Sequence, residues 1–315
     1  MLLAGYTSRA ATTDDAKDIY DVIAAHQVPV VGKPDTTLED VADELVEPAW
    51  DITKDGWLVH DPQGNAVGWG WACRKGESSN VDIDIYLVPE HARVARWLWD
   101  RARDRAVDIA RELGHAEVTI DIGVFPDDAI VREIASADGF APAATFIRMR
   151  IDYAGLAEEP GLLEGVELRH GTDERVRRDA LDIRNEAFAD HFGSVERTYE
   201  DWAAEREASS AHDWAMLHVA YIEGEPAALL LRTNNFVPDE NCGYVLTLGT
   251  LPRLRNRGLA SYLLRYAFAR DAEAGRVGTI LHVDTNPARP ALGFYRRNGM
   301  HPIRTIDIYR RKLEI

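Results

Sequence analysis

Two periods of apolar recurrence run along the chain, and each predicts an element. Val81, Ile83, Ile85 and Leu87 alternate with Asp82, Asp84 and Tyr86, the pattern of a strand with one face buried. Before it, residues 6–10 read as a short strand, and Thr13, Asp14 and Asp15 cap a helix with Ala16, Ile19, Tyr20 and Ile23 on one face. A polar, Pro-broken loop and a helical stretch over 38–46 follow. Residues 57–60 and 66–72, joined by Asp61-Pro62-Gln63-Gly64-Asn65, predict a hairpin. Beyond the alternating strand, a long helix is expected from Pro89 to Leu113, with Trp97, Leu98, Ala102, Ala106, Ile109 and Leu113 turned inward. A strand at 117–122, a helix at 127–136 and a closing strand at 145–151 complete this series.

Residues 154–165, with Pro160 and glycines, read as a linker. After it the order of elements begins again. A strand at 166–169, a helix at 173–188 and a second helical stretch at 199–207 precede a hairpin of 215–221 and 226–232, turned at Glu223-Gly224. An apolar strand at 244–251 feeds a helix with Leu259, Ala260, Leu263, Leu264, Ala267 and Phe268 on its apolar face. A strand at 279–283, a short helix and a final strand pair ending at Leu313 follow. Arg9 and Arg169, Gly64 and Gly224, and Gly139 and Gly299 all stand 160 positions apart. The chain therefore reads as a tandem repeat of one mixed α/β unit, each a mostly antiparallel mixed sheet flanked by helices. The expected domains are 1–153 and 166–315.

The chemistry concentrates in the second copy. Residues 253–264, Arg-Leu-Arg-Asn-Arg-Gly-Leu-Ala-Ser-Tyr-Leu-Leu, join a strand to a helix start. Free amides and the positive end of the helix dipole converge at such a turn, glycine permits close approach and arginine adds charge, which together suit a pyrophosphate. Arg255-Asn256-Arg257-Gly258-Leu259-Ala260 resembles motif A of the GCN5-related N-acetyltransferase (GNAT) superfamily. Leu281-His282-Val283-Asp284-Thr285-Asn286-Pro287, a short helix with Phe294-Tyr295, and Gly299-Met300 resemble its motif B, in order and at the family's spacing. The doubled unit resembles the tandem-domain type to which mycothiol synthase belongs.

The resemblance implies acetyl-coenzyme A as co-substrate, with no metal. Its pyrophosphate would lie on the amides of Asn256, Arg257, Gly258, Leu259, Ala260 and Ser261, beside Arg255. Its pantetheine arm would pair with Leu248, Gly249 and Thr250, where Gly249 is expected to let the strand bulge. Asn286 would contact the coenzyme or cap the short helix, and Tyr295 would protonate the leaving thiolate. The strand at 243–248 lacks the carboxylate that the family often uses as a base. Glu240, Asp190, His191 and His282 are the alternatives, acting through water. Glu186, Asp190 and His191, in the loop where the family receives its acceptor, are expected to meet a cationic amine.

In the first copy the matching place reads Val88-Pro89-Glu90-His91-Ala92-Arg93, and no glycine occurs from Glu77 to Leu113. Ala135 stands opposite Tyr295, and Pro126 opposite Asn286. This copy resembles a degenerate unit that has kept its core and lost its coenzyme turn.

Composition narrows the partners. A net charge of −17 over 315 residues disfavours nucleic acid and anionic membranes, and it would attract cations. Two cysteines, Cys73 and Cys242, occur in no metal-like spacing, and the N-terminus has no signal-like apolar run, so a cytoplasmic protein is expected. There is no nucleophile elbow, phosphate-binding glycine loop or paired-histidine motif. The basic stretch Arg304 to Lys312 reads as a solvated strand face. The reading is an N-acetyltransferase acting on a small-molecule primary amine by direct attack in a ternary complex, as a monomer or homodimer. A non-catalytic acyl-coenzyme A sensor and a protein N-acetyltransferase are the alternatives.

Overall fold

The computed structural model describes residues 2–48, 50–155, 159–285 and 291–315. The first series of elements is β1 (Thr7–Ala10), α1 (Ala16–Val31), α2 (Leu38–Glu44), α3 (Ile52–Asp55), β2 (Gly56–His60), β3 (Ala66–Arg74), β4 (Asn80–Leu87), α4 (Ala95–Glu112), β5 (Glu117–Val124), α5 (Ala129–Ala137) and β6 (Ala141–Asp152). The second is β7 (Val166–His170), α6 (Glu174–Ala187), α7 (Tyr199–Glu207), β8 (Leu217–Ile222), β9 (Glu225–Thr233), α8 (Val237–Glu240), β10 (Cys242–Thr250), α9 (Leu259–Glu273), β11 (Gly278–Asp284), α10 (Ala291–Arg297) and β12 (His301–Glu314). The repeat is one of structure. The hairpin glycines Gly64 (φ 88°) and Gly224 (φ 83°) both hold left-handed backbone, as do Gly139 (φ 80°) and Gly299 (φ 90°) before the closing strands.

The chain packs into two compact units, and these do not follow the linker. One comprises Met1–Thr145, Ala208–Ser210 and Ile306–Ile315; the other comprises Phe146–Glu207 and Ala211–Thr305. Each half thus gives its closing strand to the other's unit. Residues 307–314 of β12 pair antiparallel with β5, and residues 146–152 of β6 pair antiparallel with β11. In the first unit β1 to β4 run antiparallel in sequence and β4 meets β5 in parallel. In the second, β7 to β10 repeat that meander and β10 meets β11 in parallel.

Alternation decides which side chains fill each core. Val81, Ile83, Ile85 and Leu87 of β4 face Leu98, Trp99, Ala102 and Ala106 of α4, all at most 1% exposed. Burying each aliphatic chain of this kind contributes about 1.5–3 kcal/mol. The opposite face of that sheet packs Leu58 and Trp69 on Ile19, Val22 and Ile23 of α1. In the second unit, α9 covers one face through Leu259, Leu263, Leu264 and Ala267, and α6 covers the other through Val176, Ala180 and Ile183. α9 is buried on more than its apolar stripe, because Tyr262, Tyr266 and Asp271 are buried as well. Asp271 accepts from Arg232 Nη1 at 2.6 Å and from the Thr279 hydroxyl. Among the described residues no helix is long and apolar enough to cross a membrane.

Four expectations are corrected. The segment after Pro89 is a 3₁₀ turn (Pro89–Val94), bent at His91, before α4 begins at Ala95. The C-terminal pair of strands is one long strand, β12, with no glycine after Gly299 to turn it. The basic face of that strand is not simply solvated: Arg310 holds the buried Asp121 with two bonds of 2.7 Å, and Arg311 lies 3.2 Å from Asp138. The residues Thr13 to Asp15 form their own 3₁₀ turn, with Thr12 and Asp15 closing the capping box.

Candidate active site

The second unit's site begins where two parallel strands part. β10 pairs with β11 only from Cys242 to Val245, opposite Gly278 to Leu281. β10 nonetheless stays on β9 as far as Thr250, and β11 stays on β6 as far as Asp284. A gap therefore opens between residues 246–250 and residues 282–284. The Leu251 amide bonds Ala227 O at 3.0 Å, so Thr247, Gly249 and Leu251 spend their main-chain groups on β9. Those of Leu248 and Thr250 face the gap. The Thr250 hydroxyl is buried and has no hydrogen-bond partner among the described residues.

The irregularity that separates the strands lies between Val245 and Thr247, earlier than the expected bulge at Gly249. Gly249 serves a different contact. A Cβ there would lie 2.9 Å from Phe188 Cε2 and 3.4 Å from Ala187 Cβ, so the missing side chain is what lets the end of α6 lie on β10.

Past Thr250 the chain makes a 3₁₀ turn (Pro252–Leu254) and an exposed loop before α9. Asn256 (φ 64°) and Gly258 (φ 82°) are left-handed, and among the described residues the amides of Asn256 through Ser261 have no hydrogen-bond acceptor. Amides without acceptors at the start of a 15-residue helix are the backbone arrangement that suits an anion. The arginines are divided. Arg255 turns back, its Nε 3.4 Å from Thr250 O and its Nη2 3.3 Å from Ala187 O, and Arg253 pairs with Glu186 at 3.1 Å. The Ser261 hydroxyl donates to Asn298 Oδ1 at 2.8 Å, tying α9 to the end of α10.

Tyr295 is half-buried on α10, and its hydroxyl makes no hydrogen bond among the described residues. Burial, and then the Asp284 carboxylate, push its pKa up to about 12, so it carries its proton at neutral pH. Asn286 lies outside the described residues. Asp284 was not among the residues singled out from the sequence. It is buried at the C-terminal end of β11, with His191 Nδ1 3.5 Å from its Oδ2. Its one legible signal was a carboxylate ending a parallel strand, the usual place for ligand chemistry in such sheets. His191 also packs against Phe188 at a tilt of 51°, with ring centroids 4.6 Å apart.

The other base candidates lie elsewhere or are committed. Glu240 precedes β10, at the end of the strand far from the gap, and its carboxylate pairs with Arg150 at 2.6 Å. His282 accepts from Arg148 Nε at 3.1 Å through Nε2, which fixes its proton on Nδ1, 3.0 Å from the Tyr244 hydroxyl. Burial and the cations Arg148 and Arg304 hold its pKa down to about 3. Its nitrogens serve the sheet. A cleft of about 500 Å³ lies beside the loop after α6, walled by Asp182, Asn185, Glu186, Ser194, Val195 and Glu196.

The first unit parts its strands in the same place: β4 pairs with β5 only through Asp82. There the gap is closed from within. Leu87, whose main chain faces the gap, donates its amide to His26 Nδ1 at 3.4 Å, and His26 Nε2 meets Asp128 Oδ2 at 2.8 Å with both side chains 7% exposed. The turn that follows is spent on itself, since the His91 amide bonds Val88 O and the Ala95 amide bonds Ala92 O.

Residues 178–300 match the acetyltransferase (GNAT) family. That match lies within the second series of elements. Among solved structures, a GCN5-related N-acetyltransferase from Sphaerobacter thermophilus is similar at a TM-score of 0.82 and 22% identity, covering 100% of this chain and 98% of that one. A tandem GNAT protein from the clavulanic acid biosynthesis pathway is similar at 0.73 and 16%, covering 98% of each. Saccharomyces cerevisiae N-myristoyltransferase with bound myristoyl-coenzyme A is similar at 0.61 and 12%, covering 98% of this chain and 79% of that one. No curated protein matches in sequence. At these identities the likeness is one of fold, and it extends the GNAT architecture over both units. The family match, over residues 178–300, supports acyl-coenzyme A-dependent acyl transfer.

Proposed function

We propose that the second unit transfers an acetyl group from acetyl-coenzyme A to a primary amine of a small molecule, by direct attack in a ternary complex. The observation that carries this reading is the run of amides from Asn256 to Ser261 that find no acceptor among the described residues, placed just beyond a strand that has parted from its neighbour. These amides would hold the pyrophosphate, and the gap-facing groups of Leu248 and Thr250 would pair with the amides of the pantetheine arm. The coenzyme supplies an activated carbonyl and a thiolate leaving group. Tyr295, protonated and with no hydrogen-bond partner for its hydroxyl among the described residues, is the donor suited to the sulfur as it leaves. The acidic wall of the loop cleft, with Asp182, Glu186 and Glu196, favours an acceptor that arrives as a cation.

The first unit, with its gap closed by His26 and its turn spent on itself, is read as a degenerate copy that binds no coenzyme. The boundaries at 153 and 166 are read as the limits of duplication, across which the closing strands pair with the other half's sheet. Two free thiols, Cys73 and Cys242, fit a reducing cytoplasm.

Thiol release from acetyl-coenzyme A against putrescine, spermidine, glucosamine, tyramine and a lysine peptide tests the reading. Turnover of a small amine that falls at least about 100-fold in Tyr295→Phe supports it. Coenzyme binding without turnover of any amine would mark a sensing protein, and turnover of the peptide alone would mark a protein acetyltransferase.

A further inference from the structure

The imidazole of His191 spans the place where β10 and β11 separate. On the β10 side it rests on Phe188, whose ring lies where a side chain on Gly249 would stand. The His191 amide also bonds Phe188 O at 2.9 Å, which fixes the turn. On the β11 side its Nδ1 lies 3.5 Å from Asp284 Oδ2. A carboxylate facing Nδ1 favours the tautomer with the proton on that atom, which leaves Nε2 as the basic nitrogen. The first unit uses a histidine and an aspartate at its own gap, and the difference between the pairs is informative. His26 and Asp128 lie 2.8 Å apart, each 7% exposed, whereas the His191 side chain is 29% exposed beside an Asp284 that is 7% exposed. One pair seals a gap, and the other stands at an open one.

We propose that His191, oriented by Asp284, takes the proton from the acceptor amine in the second unit; the inference rests on the acyl-transfer reading above. His191 is then the catalytic residue, with Asp284 and Phe188 positioning it. Nε2 removes one proton from the ammonium group. The nitrogen lone pair forms the bond to the acyl carbon as the carbon–sulfur bond breaks. Tyr295 gives its phenolic proton to the leaving sulfur and recovers one from the new amide nitrogen. The imidazolium releases its proton to solvent, so ammonium and thioester become amide, thiol and one proton. Among the described residues, Asp284 from β11 faces His191 and Asp190 precedes it in the loop; Tyr295 on α10 lies within electrostatic reach of Asp284, and Glu186, five residues before His191 on α6, pairs with Arg253.

The test uses the full chain, acetyl-coenzyme A and whichever amine of the panel is turned over fastest. Rates are followed from roughly pH 5.5 to 9.5, the range that brackets an imidazole, and coenzyme affinity is measured separately by calorimetry. His191→Gln is expected to lower kcat at least about 100-fold and abolish the acid limb of the profile, with coenzyme affinity unchanged. Asp284→Asn should move that limb to lower pH, because an imidazole without its carboxylate loses its proton more readily. His191→Asn provides a second variant should Gln disturb the loop. The proposal is overturned if folded His191 variants keep the parent kcat and acid limb, or if both substitutions change only KM or coenzyme affinity. Failure of the parent protein to bind coenzyme or release thiol is a different result, and it removes the acyl-transfer reading itself.

Discussion

Gly243 on β10 offers a test of how the second unit is held together at the closed end of its gap. A Cβ built there would lie 2.0 Å from Asp271 Oδ2 and 2.2 Å from its Cγ. Ordinary contact begins near 3.5 Å, so Gly243→Ala intrudes by roughly 1.5 Å. The obstacle is a carboxylate that cannot turn aside cheaply. Asp271 is 2% exposed, and it holds Arg232 at 2.6 Å and the Thr279 hydroxyl. Moving it away breaks a buried ion pair, at about 3–5 kcal/mol. Letting β10 retreat instead gives up pairing of Gly243 with Thr279, in the only stretch where β10 and β11 still meet. The expected loss is therefore about 3 kcal/mol or more, read as a lower urea midpoint. Hydrogen exchange should show faster exchange in the peptide covering residues 242–250. A loss below about 1 kcal/mol with unchanged exchange would refute this account of the Asp271 network. Gly258→Ala is the companion measurement, since nothing lies within 4 Å of a Cβ there and only the φ of 82° opposes it.

The remaining predictions follow from single contacts. Gly258→Ala should cost about 1–2 kcal/mol of local strain and weaken acetyl-coenzyme A binding about tenfold or more by turning the loop amides, which calorimetry measures. Arg9, bonding Asp15 at 2.6 and 2.7 Å, holds that carboxyl down to about 2. Because the folded value is depressed, this stabilisation is complete above about pH 4 and fades as pH falls toward 2; acid titration of Asp15→Asn should lack that part of the stability loss. His26→Ala leaves the Leu87 amide and Asp128 without the partner that joins them, and the melting curve should report a loss of about 2–4 kcal/mol.

The repeat was legible because both copies place a glycine at the same turns and an alternating or apolar run at the same strands, signals that are local. The turn at Gly258 was legible for the same reason: the glycine and the helix behind it are adjacent in sequence. What escaped detection depends on distant residues meeting. Nothing near Asp284 announces His191, and nothing near Leu87 announces His26. Gly249 looked like a strand-end glycine able to bulge, and only the approach of Phe188 shows why a side chain is excluded. Glu240 and His282 were reasonable bases by residue type, yet Arg150, Arg148 and Tyr244 already occupy them. The exchange of closing strands was invisible because β6 and β12 have the same strand pattern whichever sheet receives them.

The central claim is that one unit of two retains a coenzyme site, built on the amides around Gly258. Titration calorimetry of acetyl-coenzyme A into the full chain measures it most directly. The account predicts a single site per chain, lost on Gly258→Asp, which adds both strain and a negative charge to the loop. Two sites per chain, or one site that survives that substitution unchanged, would contradict it.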